Sequence, residues 1–382
     1  MRLTCEVIKA SALSDLDLGL WRAMCQATDL FRSPLLSPEW TQAVASVRDD
    51  VHVAVFRRMG KVIGFLPHHR RPHRFARPAG APFADYSALI TFPNPGIDGR
   101  QALKMAGIDR FQAIGLVDPH NVFGESGGEA DTAYGIDLSF DETTNNVTRK
   151  HRKNINRHRR NMIEMHGDVG FILTDRDRSH YDQMMRLKRE QIERNGLHDF
   201  LAPPWATDLF ERLYNAPETG LHGSLLTMTI GGTPVMFHYG LRLRDRMHPW
   251  VSSYDPTFGV FSPGSIFLTD CQAVLKENGV SYYDLSTGQS HYKDSFSNTA
   301  YDVRHTRIYG ASSSARFGAG LANVAIRVQG AMGGRVADAV TRLNRRFDQI
   351  ACLELDFVSR ARGVAYAFAA APRRLRTSQG AD

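Results

Sequence analysis

The segment 247–296 constrains the fold most, because a glycine and a Ser-Pro-Gly triplet stand where one strand-like run passes into a helical pattern. Ser262 suits the N-cap, and Pro263 suits the first helical position, where its missing N–H would have no partner in any case. Apolar residues then recur at helical spacing as far as Gly279, which is expected to cap the helix in a left-handed conformation. The pattern predicts a strand, a turn and a capped helix.

Such a helix start favours a bound anion, although an ordinary capped helix is the alternative. The first N–H groups of a helix lack intrahelical partners and lie at the positive end of its dipole, which together suit a phosphate or diphosphate. A glycine there lets a ligand approach the backbone closely. A lysine after the next strand is a candidate partner for phosphate, with a surface ion pair as the alternative. The residues predicted to bind a cofactor are Gly259, Phe261, Ser262, Gly264, Ser265 and Lys293.

Ionisable side chains gather after the following strand, where Asp284 precedes Ser-Thr-Gly and then Tyr292 and Lys293. This arrangement resembles the GNAT-type acetyltransferase domain of the BioF2-like group, which includes the CelD proteins linked to cellulose biosynthesis and is distantly related to the FemAB transferases. The resemblance covers about residues 145–310. The matching positions are Tyr254, Asp255, Pro256, Phe258, Ser262, Pro263, Gly264, Glu277, Gly279, Asp284, Gly288, Tyr292 and Lys293.

The resemblance implies an acyl-CoA-dependent transferase and leaves its acceptor open. One departure concerns the cofactor turn, which typically reads R/Q-x-x-G-x-G/A and here reads Gly259-Val-Phe-Ser-Pro-Gly264. Because proline has no N–H, fewer amides face a diphosphate than in the usual loop.

Length and element order predict a repeated architecture. A chain of 382 residues suits two domains of roughly 150 residues with an appendage. Strand, two helices, hairpin, strand, helix and strand follow one another in the second half, and the first half, with a strand expected at 85–91, repeats that order. We therefore predict an α/β (α+β) fold of two tandem GNAT-like lobes with mixed, mainly antiparallel sheets and flanking helices. The predicted domains are a degenerate lobe at 1–145, an acetyltransferase lobe at 146–310 and an Arg-rich helical extension with a disordered tail at 311–382.

Acyl transfer from a thioester needs a deprotonated acceptor, a polarised carbonyl and a proton for the departing thiolate. Asp284 is a candidate base or acceptor-orienting carboxylate, or else a structural acid that accepts the amides of the following turn. His238 is a candidate catalytic group or a hydrogen-bonded core histidine, and Tyr292 a candidate proton donor or a packing residue. The residues predicted to bind substrate are Asp85, Tyr86, Tyr254 and Arg157.

Positive charge is concentrated at 148–160, which holds seven Lys and Arg residues and no acid. The segment is either a solvated connecting helix or a surface for an anionic ligand, such as the 3′-phosphate of coenzyme A, an acidic glycan or lipid head group, or tRNA. No DNA-binding motif accompanies it. His68, His69 and His73 lie among arginines without interleaved acids, so no metal site is predicted.

The C-terminal part carries an apolar stripe at 330–352 with arginines on its other faces. It is expected to pack on the enzyme, to pair with a second copy or to lie on an anionic membrane surface. Four scattered cysteines without a C-x-x-C pair indicate a reducing cytoplasm. The sequence shows neither a signal peptide nor a membrane span, so a cytoplasmic protein, or one peripheral at the inner membrane surface, is predicted.

Together these patterns predict an N- or O-acyltransferase that moves an acyl group, acetyl above all, from acyl-CoA to a polar small-molecule or glycan acceptor, such as a sugar or an envelope or exopolysaccharide precursor. A FemAB-like transferase that uses aminoacyl-tRNA is one alternative. A non-catalytic accessory of polysaccharide synthesis is another.

Overall fold

The computed structural model describes residues 3–124, 127–139, 146–288, 290–331, 347–348 and 350–354. The chain forms two compact units. Of the described residues, the first unit takes those within Met1–Glu129, Ile192–Thr207 and Arg304–Asp382. The second takes those within Ala130–Gln191 and Asp208–Val303.

The first unit begins with a strand, two helices and a hairpin. Its helices and strands up to residue 116 are β1 (Leu3–Lys9), α1 (Asp15–Ala27), α2 (Pro38–Ala45), β2 (Val51–Arg58), β3 (Lys61–Arg71), β4 (Phe75–Pro78), β5 (Ile90–Thr91), α3 (Gly99–Met105) and β6 (Arg110–Leu116). The strands run in the order β1-β2-β3-β4-β6, with β5 paired to β3. Only the β4–β6 pair among these is parallel.

The elements that follow β6 include a second run in this order, from β8 to β12. They are β7 (Glu129–Asp137), α4 (Arg149–His166), β8 (Val169–Ile172), α5 (Arg178–Arg194), α6 (Pro204–Tyr214), β9 (His222–Ile230), β10 (Thr233–Leu243), β11 (Arg246–Tyr254), α7 (Pro263–Glu277), β12 (Tyr282–Thr287), α8 (His291–Phe296), β13 (Thr299–Tyr309) and α9 (Ser313–Ala331). The strands of the second unit run in the order β8-β9-β10-β11-β12-β7, and β11–β12 is the parallel pair among them. The predicted fold class, mainly antiparallel sheets with flanking helices in two repeats, is therefore confirmed.

In each unit, a strand from outside the repeat pairs with the last strand of the repeat. In the second unit β12 pairs antiparallel with β7, and in the first unit β6 pairs antiparallel with Arg304–Tyr309 of β13. The units are therefore interleaved along the chain, whereas the predicted lobes 1–145 and 146–310 are contiguous. The extension predicted at 311–382 begins with α9. Its apolar stripe at 330–352 lies largely outside the described residues, as does the tail beyond 354.

Local chemistry explains several of these elements. The hairpin between β9 and β10 turns at Gly231 and Gly232, with φ of +54° and +83°, as the glycine pair predicts. Helix α7 begins with Pro263 at its first position and ends before Gly279, whose φ is +74°. The Ser262 prediction is wrong in one respect. Ser262 precedes the helix with φ 54° and ψ 56°, and its hydroxyl makes no capping hydrogen bond.

The strand expected at 85–91 is also largely wrong. Only Ile90–Thr91 forms a strand there. Ser87 makes one isolated parallel bridge to Leu116 at the end of β6, whereas β4 pairs with the start of β6. Strand β4 is four residues long and contains arginine and proline, so it carries no clear alternation of apolar and polar residues.

The core of the second unit lies between its sheet and α7. Phe267, Cys271 and Leu275 of α7 are fully buried in one cluster with Met247 and Tyr283 of the sheet. The apolar stripe read from the sequence is thus the inner face of α7. This packing fixes where α7 begins relative to β11 and β12.

Candidate active site

Strands β11 and β12 separate soon after they begin. They pair in parallel at Arg246 with Tyr282 and at Met247 with Tyr283, and the structure shows no further ladder pair between them in its described part. The pairing of β11 with β12 is therefore confined to the first residues of the two strands. A parallel pair that ends this early suits an extended ligand between the strands.

A bulge lies in the same part of β11. Tyr239 of β10 pairs with Val251 and Gly240 pairs with Pro249, so Trp250 is the extra residue. A Cβ on Gly240 would overlap the carbonyl oxygen of His248 and Cα of Pro249, so this close approach requires glycine. The sequence pattern did not reveal the bulge.

The chain from β11 to α7 passes through one 3₁₀ segment, Pro256–Phe261. Asp255 caps it by accepting from the N–H of Thr257 at 2.9 Å. The N–H of Gly264, at the second position of α7, has no hydrogen-bond acceptor among the residues described. A Cβ at Gly264 would lie 3.6 Å from Cε of Met236, which is ordinary contact, so packing does not require this glycine.

The predicted cofactor residues fall into two groups. Gly259 and Ser262 lie in the turn before α7 and are exposed. Gly264 and Ser265 lie at the start of α7 and are half-buried, so a ligand has access to all four residues. Phe261 is instead buried in the core cluster, with its ring centroid 5.6 Å from that of His166.

The predicted residues of α8 lie directly after β12. Lys293 is 8% exposed and donates through Nζ to the main-chain oxygen of Thr287, which ties α8 to the end of β12. Tyr292 is 48% exposed. Burial of part of its ring raises the pKa of Tyr292, so the phenol carries its proton at neutral pH.

Asp284 of β12 is buried with both carboxylate oxygens close to other groups. Its Oδ1 accepts the N–H of Ser286 at 2.6 Å, and Oδ2 lies 3.2 Å from Nδ1 of His248, which is fully buried on β11. Ser286 has a φ of +65°, so the carboxylate holds a left-handed turn. Sequence reasoning missed His248, because nothing in its local pattern distinguishes it from other strand residues.

His238 of β10 uses both ring nitrogens. Its Nδ1 lies 2.6 Å from the hydroxyl of Tyr283 and its Nε2 lies 3.0 Å from Oγ of Ser252. The ring also packs on Phe267 of α7 at 4.2 Å between centroids. Burial, helped by the charge of Lys188, lowers the pKa of His238 to about 3, so the imidazole is neutral.

The predicted substrate residues do not share one unit. Tyr254 ends β11 and is 40% exposed, with its ring edge 3.9 Å from where a Cβ of Gly259 would lie. Arg157 is exposed on α4 of the same unit. Asp85 and Tyr86 belong to the first unit, where Tyr86 is 1% exposed and therefore a core residue.

Helix α4 lies along α7 and presents a basic face. Nε of Arg159 lies 2.6 Å from Oδ2 of Asp270 on α7, and His166 packs against Phe258 and Phe261 just before α7 begins. The two helices therefore run in opposite directions, with the second half of α4 near the start of α7. An open groove of about 700 Å³ is lined by Arg149, Arg152, Lys153, Asn156, Arg159 and Arg160.

His68 and His69 of β3 make hydrogen bonds to other groups of the protein. Nε2 of His69 accepts the N–H of Gly80 at 2.9 Å, so its Nδ1–H donates to Asp50 at 2.9 Å. His68 bonds through Nδ1 to the carbonyl of Leu66, and burial lowers the pKa of both rings to about 4. In the described ranges, no three His, Cys, Asp or Glu side chains are grouped so as to hold a metal ion.

No described helix has the length and apolar character needed to cross a membrane.

Comparison with known proteins identifies one family. Residues 149–294 match the model of the family described as "Acetyltransferase (GNAT) domain". No curated protein matches the chain.

Several solved structures are similar to this chain at low identity. The C-terminal domain of a putative lysylphosphatidylglycerol synthetase from Agrobacterium fabrum is 12% identical, with a TM-score of 0.45 over 78% of this chain and 94% of that one. A tandem GNAT protein from the clavulanic acid biosynthesis pathway is 12% identical, with a TM-score of 0.42 over 76% and 91%. FemX is 8% identical, with a TM-score of 0.49 over 79% and 96%.

The family match spans α4 to α8, so it includes the separated strands, the start of α7 and the predicted residues after β12. It ends before β13. Residues 149–294 are thus similar to a GNAT acetyltransferase domain over the elements that carry the candidate site.

Proposed function

We propose that the second unit transfers an acyl group from acyl-CoA to an amine or hydroxyl of a polar acceptor, such as a sugar or an envelope or exopolysaccharide precursor. The observation that carries this proposal is the early end of the pairing between β11 and β12 beside the start of α7. The family match supports acyl transfer, and acetyl is the acyl group that its description suggests. The CelD-like sequence pattern supports the choice of acceptor.

The diphosphate and the thioester arm of acyl-CoA bind to different elements of the second unit. The diphosphate lies at the start of α7, where the N–H of Gly264 has no acceptor among described residues and the helix dipole is positive. The thioester arm runs along the edge of β11 that has left β12. Tyr292 protonates the departing thiolate, because its phenol is protonated and partly exposed.

The charges of α4 support an anionic ligand on that helix. The first turn of α4 holds Arg149, Lys150 and Arg152 and no acid, which opposes the helix dipole. Lys153 repeats the charge of Arg149 one turn later, and such like-charged pairs destabilise an isolated helix. An anion bound at the first turn of α4 would relieve both effects there. In the second half of α4, which lies near the start of α7, exposed Arg160 suits the phosphates of coenzyme A.

Ligand-induced stabilisation tests the donor. At 100 times its dissociation constant, an acyl-CoA should stabilise the protein by about 2.7 kcal/mol, which raises Tm by several degrees. Free coenzyme A, acetyl-CoA, palmitoyl-CoA and tRNA are compared by thermal unfolding. Stabilisation by tRNA alone would favour an aminoacyl-tRNA donor. Stabilisation by none of the four would remove the proposed donor and favour a non-catalytic accessory.

The Gly264→Ala variant separates ligand binding from folding. The added Cβ meets only Met236 at ordinary contact, and alanine favours a helix over glycine by roughly 0.5–1 kcal/mol, so stability should stay equal or rise slightly. If Gly264 admits the diphosphate, the methyl group should weaken acetyl-CoA binding about tenfold, which calorimetric titration measures. Gly279→Ala, at the other end of the same helix and in open space, should leave the affinity unchanged. Equal affinities in both variants would move the diphosphate away from Gly264.

A further inference from the structure

Ser252 forms the exposed end of a row of three hydrogen-bonding side chains. It lies two residues before the end of β11, in register with His238 on β10, and its Oγ lies 3.0 Å from Nε2 of that histidine. On the other side of the ring, Nδ1 lies 2.6 Å from the hydroxyl of Tyr283 on β12. The row crosses from a buried tyrosine to an accessible serine.

The direction of each hydrogen bond follows from burial. Tyr283 is fully buried, and that burial raises its pKa well above 10, so it keeps its proton. A buried O–H needs an acceptor, and His238 Nδ1 is the acceptor that the described residues supply. Since the imidazole is neutral, its single proton is on Nε2, which donates to Ser252 Oγ. The hydroxyl hydrogen of Ser252 must then point away from His238.

We propose that this outward O–H of Ser252 donates to the carbonyl oxygen of the thioester during acyl transfer. Ser252 is then a catalytic residue, while His238 and Tyr283 are positioning residues. The inference rests on the proposed acyl transfer, because it needs a thioester beside β11 in the part where that strand no longer pairs with β12. Lys188 adds positive charge there, since its Nζ donates to the main-chain oxygen of Ser252 at 3.2 Å.

The step conserves atoms and charge. The nitrogen or oxygen of the acceptor attacks the carbonyl carbon, and the electron pair moves to the carbonyl oxygen, where the Ser252 O–H stabilises it. Collapse of the tetrahedral intermediate restores the carbonyl and breaks the C–S bond. The electron pair of that bond leaves with sulfur. The acceptor loses one proton to water and the thiolate gains one, which gives the acylated acceptor and free coenzyme A. Ser252 forms no covalent bond, because protonated Nε2 of His238 cannot take its proton.

Replacement of the serine tests the role directly. Ser252→Ala should lower kcat by on the order of 10²-fold, as loss of one oxyanion donor does, while the affinity for acetyl-CoA changes less than twofold. Ser252→Thr keeps a hydroxyl and should recover most of the rate. Ser253→Ala is the matched control, because the Ser253 hydroxyl is buried and donates to Met184. The assay follows thiol release from acetyl-CoA with glucosamine or methyl glucoside as the acceptor.

A double-mutant cycle tests the positioning. Tyr283→Phe leaves His238 free to adopt either tautomer, so we expect it to lower kcat five- to tenfold in the wild-type protein. When the same substitution is made in the Ser252→Ala variant, we expect no further loss of kcat. Nitrogen NMR of His238 should show the proton on Nε2 at neutral pH. The inference would be overturned if the two losses of kcat were additive or if NMR placed the proton on Nδ1 of His238. An acyl adduct on Ser252, detected by intact-mass spectrometry, would overturn it as well.

The assay also separates this inference from the proposed function. If the wild type releases thiol and Ser252→Ala does so equally fast, the role of Ser252 is overturned and acyl transfer stands. If the wild type neither binds nor cleaves acetyl-CoA or palmitoyl-CoA, the proposed function fails and the role of Ser252 fails with it.

Discussion

Gly240→Ala should destabilise the second unit by at least about 4 kcal/mol, among the larger effects known for one methyl group. Its Cβ would overlap the carbonyl oxygen of His248 and Cα of Pro249. These are backbone atoms in a strand pair, so no side-chain rotation relieves the overlap. The pairing of β10 with β11 must open, and with it the bulge that precedes Ser252.

Hydrogen exchange followed by mass spectrometry localises this effect. Faster exchange should appear in β9, β10 and β11, while chemical unfolding gives the free energy. Gly279→Ala is the control, since its φ of +74° costs about 1–2 kcal/mol but its Cβ meets nothing within 4 Å. A loss for Gly240→Ala no larger than that of the control would mean that the bulge adapts easily.

Local signals in the sequence were sufficient for several elements, although β4 was missed. Two consecutive glycines placed the β9–β10 hairpin, and Pro263 with Gly279 placed both ends of α7. These signals act within a few residues, so a pattern reveals them. The repeat followed because the same order recurs in both halves.

Strand partners that are distant in sequence were not predictable in the same way. Strands β7 and β13 each complete a sheet whose other strands lie in a different stretch of the chain, and neither carries a turn signal that announces its partner. The candidate site likewise depends on residues that are distant in sequence. His248 and Ser252 matter through Asp284 and His238, which lie 36 and 14 residues away, and only the register of β10, β11 and β12 brings them together.

The sequence left two roles for Asp284, and the geometry favours the structural one. The side chain is 5% exposed, and its oxygens face the Ser286 N–H and the ring of His248, which leaves little access for an acceptor. A general base must reach the proton that it removes. We therefore expect Asp284 to hold the turn after β12 and the buried histidine.

Asp284→Ala should then lower the free energy of unfolding by about 2–3 kcal/mol, because the N–H of Ser286 and the buried ring of His248 both lose the carboxylate that they face. Asp284→Asn keeps an oxygen for the Ser286 N–H, so its loss should be about 1 kcal/mol, and it should retain most thiol release from acetyl-CoA. Urea unfolding and the thiol assay on both variants decide the question. A stable Asp284→Asn variant whose kcat falls more than 10²-fold would instead make Asp284 the base, since only the charge would have been lost while the turn persisted.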